Sequence, residues 1–338
     1  MRGVTGRPSV FKRWVSVLSD HRQTPTTATG IEAPAGTPSG AAKPQVPKSI
    51  ATGMALAVIG AVGFSGKAII AKLIYRHGVD PVTLIMYRML FALPIFAAMA
   101  WWASRGKAAL TGRDWLAVAG LGFTGYYLSS FLDFLGLLYI SASLERLILY
   151  LNPTLVMLLG LVLYKRRITG MEMAGMLVSY CGVMLVFGHE IKLQGSNAAL
   201  GAGLVFMSAT TYAVYLVFSG EMVRRLGSLR LVGLASIFAC LFSLLQFVIL
   251  KPLSAAVVGP EVLWLSLLNS TVCTAMPVLL VMMAVERVGA GMAAQAGMIG
   301  PMSTILMGIV ILGEPFTAWV AAGTVLVILG IFVFTRRR

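Results

Sequence analysis

Charged and apolar residues are sharply segregated along this chain of 338 residues. Residues 49–66, 147–164, 193–220, 231–250, 262–285, 288–313 and 315–335 contain no Asp, Glu, Lys or Arg. A helix needs about 20 mostly apolar residues to cross a bilayer core of about 30 Å, and several of these runs meet that length. The pattern predicts an all-α membrane protein with ten transmembrane helices, near 51–72, 82–102, 115–138, 141–164, 170–188, 199–219, 229–250, 262–285, 289–312 and 316–335. Pro81, Gly112, Gly170, Gly227 and Pro315 punctuate the gaps. Hydropathy alone would merge the third and fourth spans, because "LLYISAS" holds no strong break.

Charge separates them. Lys and Arg collect in cytoplasmic loops. With the N-terminus inside, the cytoplasmic segments hold twenty of the 27 basic residues, among them Arg105, Lys107, Arg113, Lys165, Arg166, Arg167, Arg224, Arg225 and Arg230. Every inside segment is basic only if all ten spans exist. Both termini are then cytoplasmic, in a multi-pass protein of the cell (inner) membrane. The same distribution assigns the net charge of +15 to topology and the lipid bilayer, and excludes nucleic acid as a partner. Only 12% of residues are charged, against about 25% in soluble domains. Cys181, Cys240 and Cys273 lie far apart in apolar runs, and three scattered His residues offer no ligand spacing. No metal, disulfide framework or cofactor is expected. Residues 1–48 are rich in Pro, Thr, Gly and Ala and read as a disordered cytoplasmic tail. Its start, "SVFKRWVSVLSD", can form a short basic amphipathic helix, or a tail of no function.

The chain also repeats. A shift of 148 residues aligns Pro153 with Pro301, Gly160 with Gly308, Thr169 with Thr317, Gly175 with Gly323, Gly182 with Gly330 and Gly53 with Gly201. Two halves of five spans follow, 50–188 and 198–335. Five is odd, so the halves enter the membrane in opposite directions. That is the inverted repeat of many secondary transporters, which bind substrate near the midplane.

"YISASLERLILYLNPTLVMLLGLVLYKRRITGMEMAGMLVSYCGVMLVF" and "ERVGAGMAAQAGMIGPMSTILMGIVILGEPFTAWVAAGTVLVILGIFVF" resemble the fourth-fifth and ninth-tenth helices of the EamA-like family of the drug/metabolite transporter superfamily. Pro301, "LGEPFT" with Glu314, and Gly323 are the most specific elements. The resemblance covers about residues 50–335. It implies ten helices in two inverted repeats, with helices 1–4 and 6–9 around a central cavity and 5 and 10 outside. One departure is Lys165-Arg166, where the family usually shows Gly-Glu.

Five ionisable residues fall inside the predicted spans: Lys67, Arg88, Asp133, Glu145 and Arg146. Lys67 ends "GAVGFSGK", which is not a phosphate-binding loop, because the first Gly is misplaced and Ala68 follows where a hydroxyl is needed. At about 1.5 Å per residue, all five sit roughly 6–9 Å below the outer boundary, and all belong to the first half. A charge at a helix centre costs about 2.5–3.5 kcal/mol on insertion scales, so five together must be paired or wetted. They predict a polar, partly hydrated ring of three cations and two carboxylates beneath the outer mouth. Tyr126, Ser129, Ser130 and Asp133 form a stripe on one helix face, and Asn152 lies two turns beyond Glu145. Pro153 and Pro301 free the carbonyls of Leu149 and Gly297 as candidate contacts.

Other readings stand beside this one. Lys67 can snorkel outward. Lys67–Asp133 and Arg88–Glu145 can be structural pairs. Adjacent Glu145 and Arg146 point about 100° apart, or lie in the loop. The prolines can be packing kinks, and the paired glycines packing faces. The favoured function is a secondary transporter of a small polar or amphiphilic metabolite, amino acid-like, working by alternating access. Arg88 would bind an anionic group through its planar fork, Lys67 and Arg146 would support it, and Asp133 or Glu145 would carry a coupling proton. Alternatives are an uncoupled facilitator or exchanger, a multidrug-type exporter, or a membrane receptor or scaffold. No H-E-x-x-H or G-x-S-x-G occurs and no His lies in a span, so an enzyme is not expected. A homodimer through the outer helices stays open.

Overall fold

The computed structural model describes residues 48–164, 169–194, 197–297 and 299–335, and the regular structure among them is helical throughout. The tail up to Pro47, Lys165-Arg166 and the C-terminal arginines lie outside the described residues. Helices α1 (Lys48–Arg76), α2 (Pro81–Ser104) and α3 (Gly112–Gly136) come first. The next span is split into α4 (Ala142–Leu149) and α5 (Asn152–Tyr164). Then follow α6 (Gly170–Gln194), α7 (Asn197–Leu226), α8 (Ser228–Leu250), α9 (Pro260–Ser270), α10 (Met276–Gly297), α11 (Gly300–Met307) and α12 (Ala318–Thr335).

Local chemistry sets the helix ends. Asp80 caps α2, accepting from the backbone N–H groups of Val82 and Thr83 at 3.0 and 3.3 Å, with Pro81 in the first turn. Thr111 and Asp114 form a reciprocal capping box on α3. Ser141 accepts from Leu144 N–H to start α4. Gly227, at φ +85°, makes the abrupt join of α7 to α8 that a residue with a Cβ resists.

Among the described residues, eight helices are long and apolar enough to cross a membrane, and two shorter apolar helices, Gly300–Leu312 and Ala318–Val333, complete the chain. The expected gap between the eighth and ninth spans is not a loop, since α10 is helical from Met276 to Gly297. The chain nevertheless reverses after Val288. Val288 packs on Gly53 and Pro277 on Gly63, so the chain descends α1 as its numbers rise. Gly300 lies beside Ala61 and Ser65, back near the level of Pro277. A straight helix would instead have carried Gly300 about 18 Å beyond Val288. The reversal therefore falls between Val288 and Gly300.

Glycines let the helices meet. Gly182 abuts Gly323 and Gly330 abuts Gly175 and Ser179, so α6 and α12 run antiparallel with backbones almost touching. These matched glycines are packing faces. The contacts recur at the spacing of the sequence repeat: adding 148 to Gly175 and subtracting it from Gly330 yields Gly323 and Gly182. The contact of Gly53 with Val288 has the same counterpart in Gly201 with Ile140. Wide π-turned segments occur at Phe123–Leu128 in α3 and at Thr271–Ala275 between α9 and α10, again 148 residues apart at their starts.

Polar contacts stitch both ends of the bundle. At the Arg76 end, Asp80 pairs with Lys251 at 3.2 Å, His77 faces Glu261 at 3.5 Å, and Tyr87 donates to the Ala256 carbonyl. A cleft of about 590 Å³, lined by His77, Asp80, Thr83, Val257 and Glu261, opens there. At the opposite end, Arg225 grips Asp114 at 2.7 and 3.0 Å, and Arg230 holds Ser104 Oγ and the Ala108 carbonyl. Two arginines that mark the basic loops, Arg225 and Arg230, thus join helices.

A side chain at Gly323 would strike Val186 and the Gly182 carbonyl. Gly323→Val should therefore destabilise by about 1–3 kcal/mol, read as a lower Tm in detergent. Gly188→Ala, where nothing lies within 4 Å, serves as the neutral comparison. Partial burial raises the Asp80 carboxyl pKa, but hydrogen bonds from Thr83 and Lys251 outweigh that and hold it below its usual value. Its stabilisation is present above about pH 4 and disappears as pH falls through the lower folded value. Asp80→Asn should flatten that acid limb of the Tm–pH curve.

Candidate functional site

The five charged residues expected inside the membrane come from α1, α2, α3 and α4, and all except Arg88 are linked by ion pairs. Lys67 Nζ lies 2.5 Å from Asp133 Oδ2 and 3.8 Å from Glu145 Oε1. Arg146 Nε lies 3.8 Å from Glu145 Oε2, and its Nη2 donates to the Phe64 carbonyl at 3.4 Å. Glu145 and Arg146 thus reach each other although their Cβ atoms diverge, because both side chains are long enough to bend back. They lie in α4 rather than in the loop before it.

Arg88 is placed differently from the expected Arg88–Glu145 pair. Its Nε donates to Thr274 Oγ1 at 2.9 Å and its Nη1 to Ser130 Oγ at 3.5 Å. Thr274 in turn donates to the Asn269 carbonyl five residues back, a bond made available by the π-turned segment. The Phe134 ring joins the two groups of charges. Lys67 Nζ is 5.5 Å and the Arg88 guanidinium carbon 4.9 Å from its centroid, both within cation–π range. The phenol of Tyr75 donates to the Phe134 carbonyl at 2.7 Å and fixes that backbone.

The site is closed. Glu145 is 0% exposed, Asp133 2% and Arg88 5%, while the Lys67 and Arg146 side chains keep 15% and 13%. It is also incompletely satisfied. Asp133 Oδ1, both Glu145 carboxylate oxygens, Arg146 Nε and Asn269 Oδ1 are buried with no hydrogen-bond partner among the described residues. Each such atom costs about 1–3 kcal/mol. A cluster serving stability alone would be better replaced by apolar packing. Unmet buried acceptors beside cations are what a site for a proton, water or polar solute needs.

The remaining candidates lie outside this cluster. Tyr126 hydroxyl meets that of Tyr215 at 3.1 Å, and Tyr215 stacks on Tyr212 at 5.5 Å between ring centroids. Ser129 pairs with Ser208 at 3.1 Å. Asn152 Nδ2 donates at 2.9 Å to the Leu149 carbonyl, the one Pro153 frees. The carbonyl of Gly297, freed by Pro301, accepts from Tyr150 hydroxyl at 3.3 Å. Both carbonyls expected to be open are therefore occupied by first-half side chains, and the prolines break α4 from α5 and α10 from α11. Phe134, Thr274 and the Phe64 carbonyl were not legible as site groups. Phe134 had only its place beside Asp133 as a signal, and Thr274 none.

The model of the EamA-like transporter family matches twice, over residues 51–188 and 199–336. The transporter YcbK of Bacillus subtilis, itself named as uncharacterized, is 30% identical over 279 residues, covering 79% of this chain and 87% of its own. A transporter of Archaeoglobus fulgidus, also named as uncharacterized, is 25% identical over 261 residues, 77% of this chain and 89% of its own. A solved crystal structure aligns over 85% of this chain and 99% of its own at a TM-score of 0.58 and 19% identity, a likeness of fold alone.

If Lys67 neutralises both carboxylates, Lys67→Met should lower stability by about 3–5 kcal/mol. Lys67→Met with Asp133→Leu should recover part of that loss. Unfolding of purified protein in detergent reads both, and equal losses in the two variants would show that the ammonium is not what holds Asp133.

Proposed function

This chain belongs to the EamA-like transporter family, and from that premise we propose that it is a secondary transporter moving a small polar or amphiphilic metabolite, amino acid-like, by alternating access. The observation that carries the reading is the ion cluster: three cations and two carboxylates brought together inside an apolar bundle, with buried carboxylate oxygens that have no hydrogen-bond partner among the described residues. Arg88, already steered by Thr274, Ser130 and Phe134, supplies the planar fork for a substrate carboxylate. Lys67 and Arg146 add positive potential. Asp133 and Glu145 share one ammonium, so a proton on either releases Lys67 toward the other. That exchange is the proposed coupling step.

The architecture in this reading is ten crossings in two oppositely inserted halves, 50–188 and 198–335. The glycine contacts that interchange at a 148-residue offset support it, as does the reversal after Val288. The basic loops support a reading in which both termini are cytoplasmic, the membrane is the inner membrane, and the Arg76 end of the bundle faces outside. Uncoupled exchange is the second reading, favoured by the short Lys67–Asp133 contact, which would hold through the cycle if the pair serves selectivity alone.

Two measurements separate these. In proteoliposomes, Asp133→Asn should abolish the pH dependence of solute flux under coupling and leave it unchanged under uncoupled exchange. In a thermal-shift panel of amino acids and small carboxylic acids, any stabilising solute should bind about tenfold or more weakly to Arg88→Ala, the loss expected for a charge-assisted hydrogen bond. A solute that stabilises both proteins equally would place Arg88 outside the binding site.

A further inference from the structure

Glu314 lies in the connection between α11 and α12, in the second half, yet its carboxylate acts on the first. It accepts from Ala142 N–H at 2.7 Å, from Ser143 N–H at 3.3 Å and from Ser143 hydroxyl at 2.8 Å. These are the first free N–H groups of α4, where a negative charge is favoured by the helix dipole. Helix α4 carries Glu145 and Arg146. The loop is shaped for this contact. Gly313, at φ +72°, turns the chain back so that Glu314 N–H donates to the Gly308 carbonyl. A Cβ at Gly308 would lie 2.9 Å from Glu314 Oε2, so a side chain there would push the carboxylate off its present position. Arg76, at the end of α1, donates to the Leu312 carbonyl at 2.7 Å and holds the same loop from the other side.

The two ends of the bundle differ at this position. Both have ion pairs between the halves, Asp80–Lys251 at one end and Asp114–Arg225 at the other. The repeat partner of Glu314 is Arg166 by sequence, a cation, which lies outside the described residues. A cation cannot accept backbone N–H bonds and is disfavoured at a helix N-terminus. Among the described residues, an acidic clasp of this kind joins the halves at the outer end.

We propose that Glu314 is a positioning residue: a latch that shuts the outer mouth by clasping α4, orients Glu145 and Arg146, and biases the resting transporter toward an outwardly closed state. The proposal rests on the transport reading for its meaning and on the Glu314–α4 contact for its evidence. Release of the latch frees the N-terminus of α4 and opens the ion cluster to the outside.

Native Cys273 reports on this directly, because it sits on the π-turned segment against Gly66, next to Lys67, and is 4% exposed. The test uses the full chain with Cys181→Ser and Cys240→Ala, in membrane vesicles of both orientations, and a membrane-impermeant maleimide. Glu314→Ala should speed labelling about tenfold in right-side-out vesicles, within the range set by losing a helix cap, and leave inverted vesicles unchanged. Glu314→Gln should give a smaller rise, since an amide oxygen still accepts. Where Glu314→Ala fails to fold, Gly308→Ala displaces the carboxylate while keeping it, and should raise labelling in the same vesicles. Unchanged labelling in right-side-out vesicles, or an equal rise in both orientations from general loosening, overturns the latch. A selective rise in a protein that moves no solute keeps the latch and sinks the transport reading. Normal flux with unchanged labelling does the reverse.

Discussion

Among the described residues, the ammonium of Lys67 is the one cation that contacts both Asp133 and Glu145, and much of the structure is arranged so that it can. Removing charges from water costs several kcal/mol each even after relaxation. α1, α3 and α4 must therefore bring Lys67, Asp133 and Glu145 to one point or leave a carboxylate stranded. Close approach of α1 to α10 on its other side follows from Gly53, Gly60 and Gly63, each too near a facing residue to carry a side chain. The capping of α4 by Ser141 and Glu314 sets where Glu145 stands. The Phe134 ring then helps hold Arg88 near the same charges without a carboxylate of its own, since the ring quadrupole attracts a cation over its face.

The scaffold repeats while the chemistry does not. At the 148-residue offset, Lys67, Arg88, Asp133, Glu145 and Arg146 correspond to Tyr215, Ser236, Val281, Ala293 and Ala294. Tyr215 packs with Tyr126 and Tyr212 in an apolar cluster. One side of the bundle is thus ionic and the other aromatic, on frameworks that share glycine contacts and π-turned segments. Only side chains can create this difference.

The prolines show where linear reasoning stops short. Pro153 and Pro301 do interrupt their helices, and the carbonyls they free are the ones named from sequence. Their partners, Asn152 and Tyr150, are ordinary residues whose reach depends on the break itself. A freed carbonyl is a demand for a donor, and the nearest side chain in the folded chain meets it before any solute does. Lys67 is similar. Its depth was legible from position in the run, but the choice between snorkelling outward and pairing inward belonged to the neighbours, and two carboxylates decided it.

Hydropathy runs and helix punctuation are local and additive, so the order of residues is enough to read a helical membrane protein, its repeated halves, and five ionisable residues set within apolar runs. The tertiary structure alone decided that Arg88 is held by Thr274, Ser130 and Phe134 rather than by Glu145, that adjacent Glu145 and Arg146 touch, and that Glu314 reaches across to α4. Those contacts join residues as far as 186 positions apart. They are settled by helix separation, rotation and side-chain length together, quantities that no run of residues along the chain encodes.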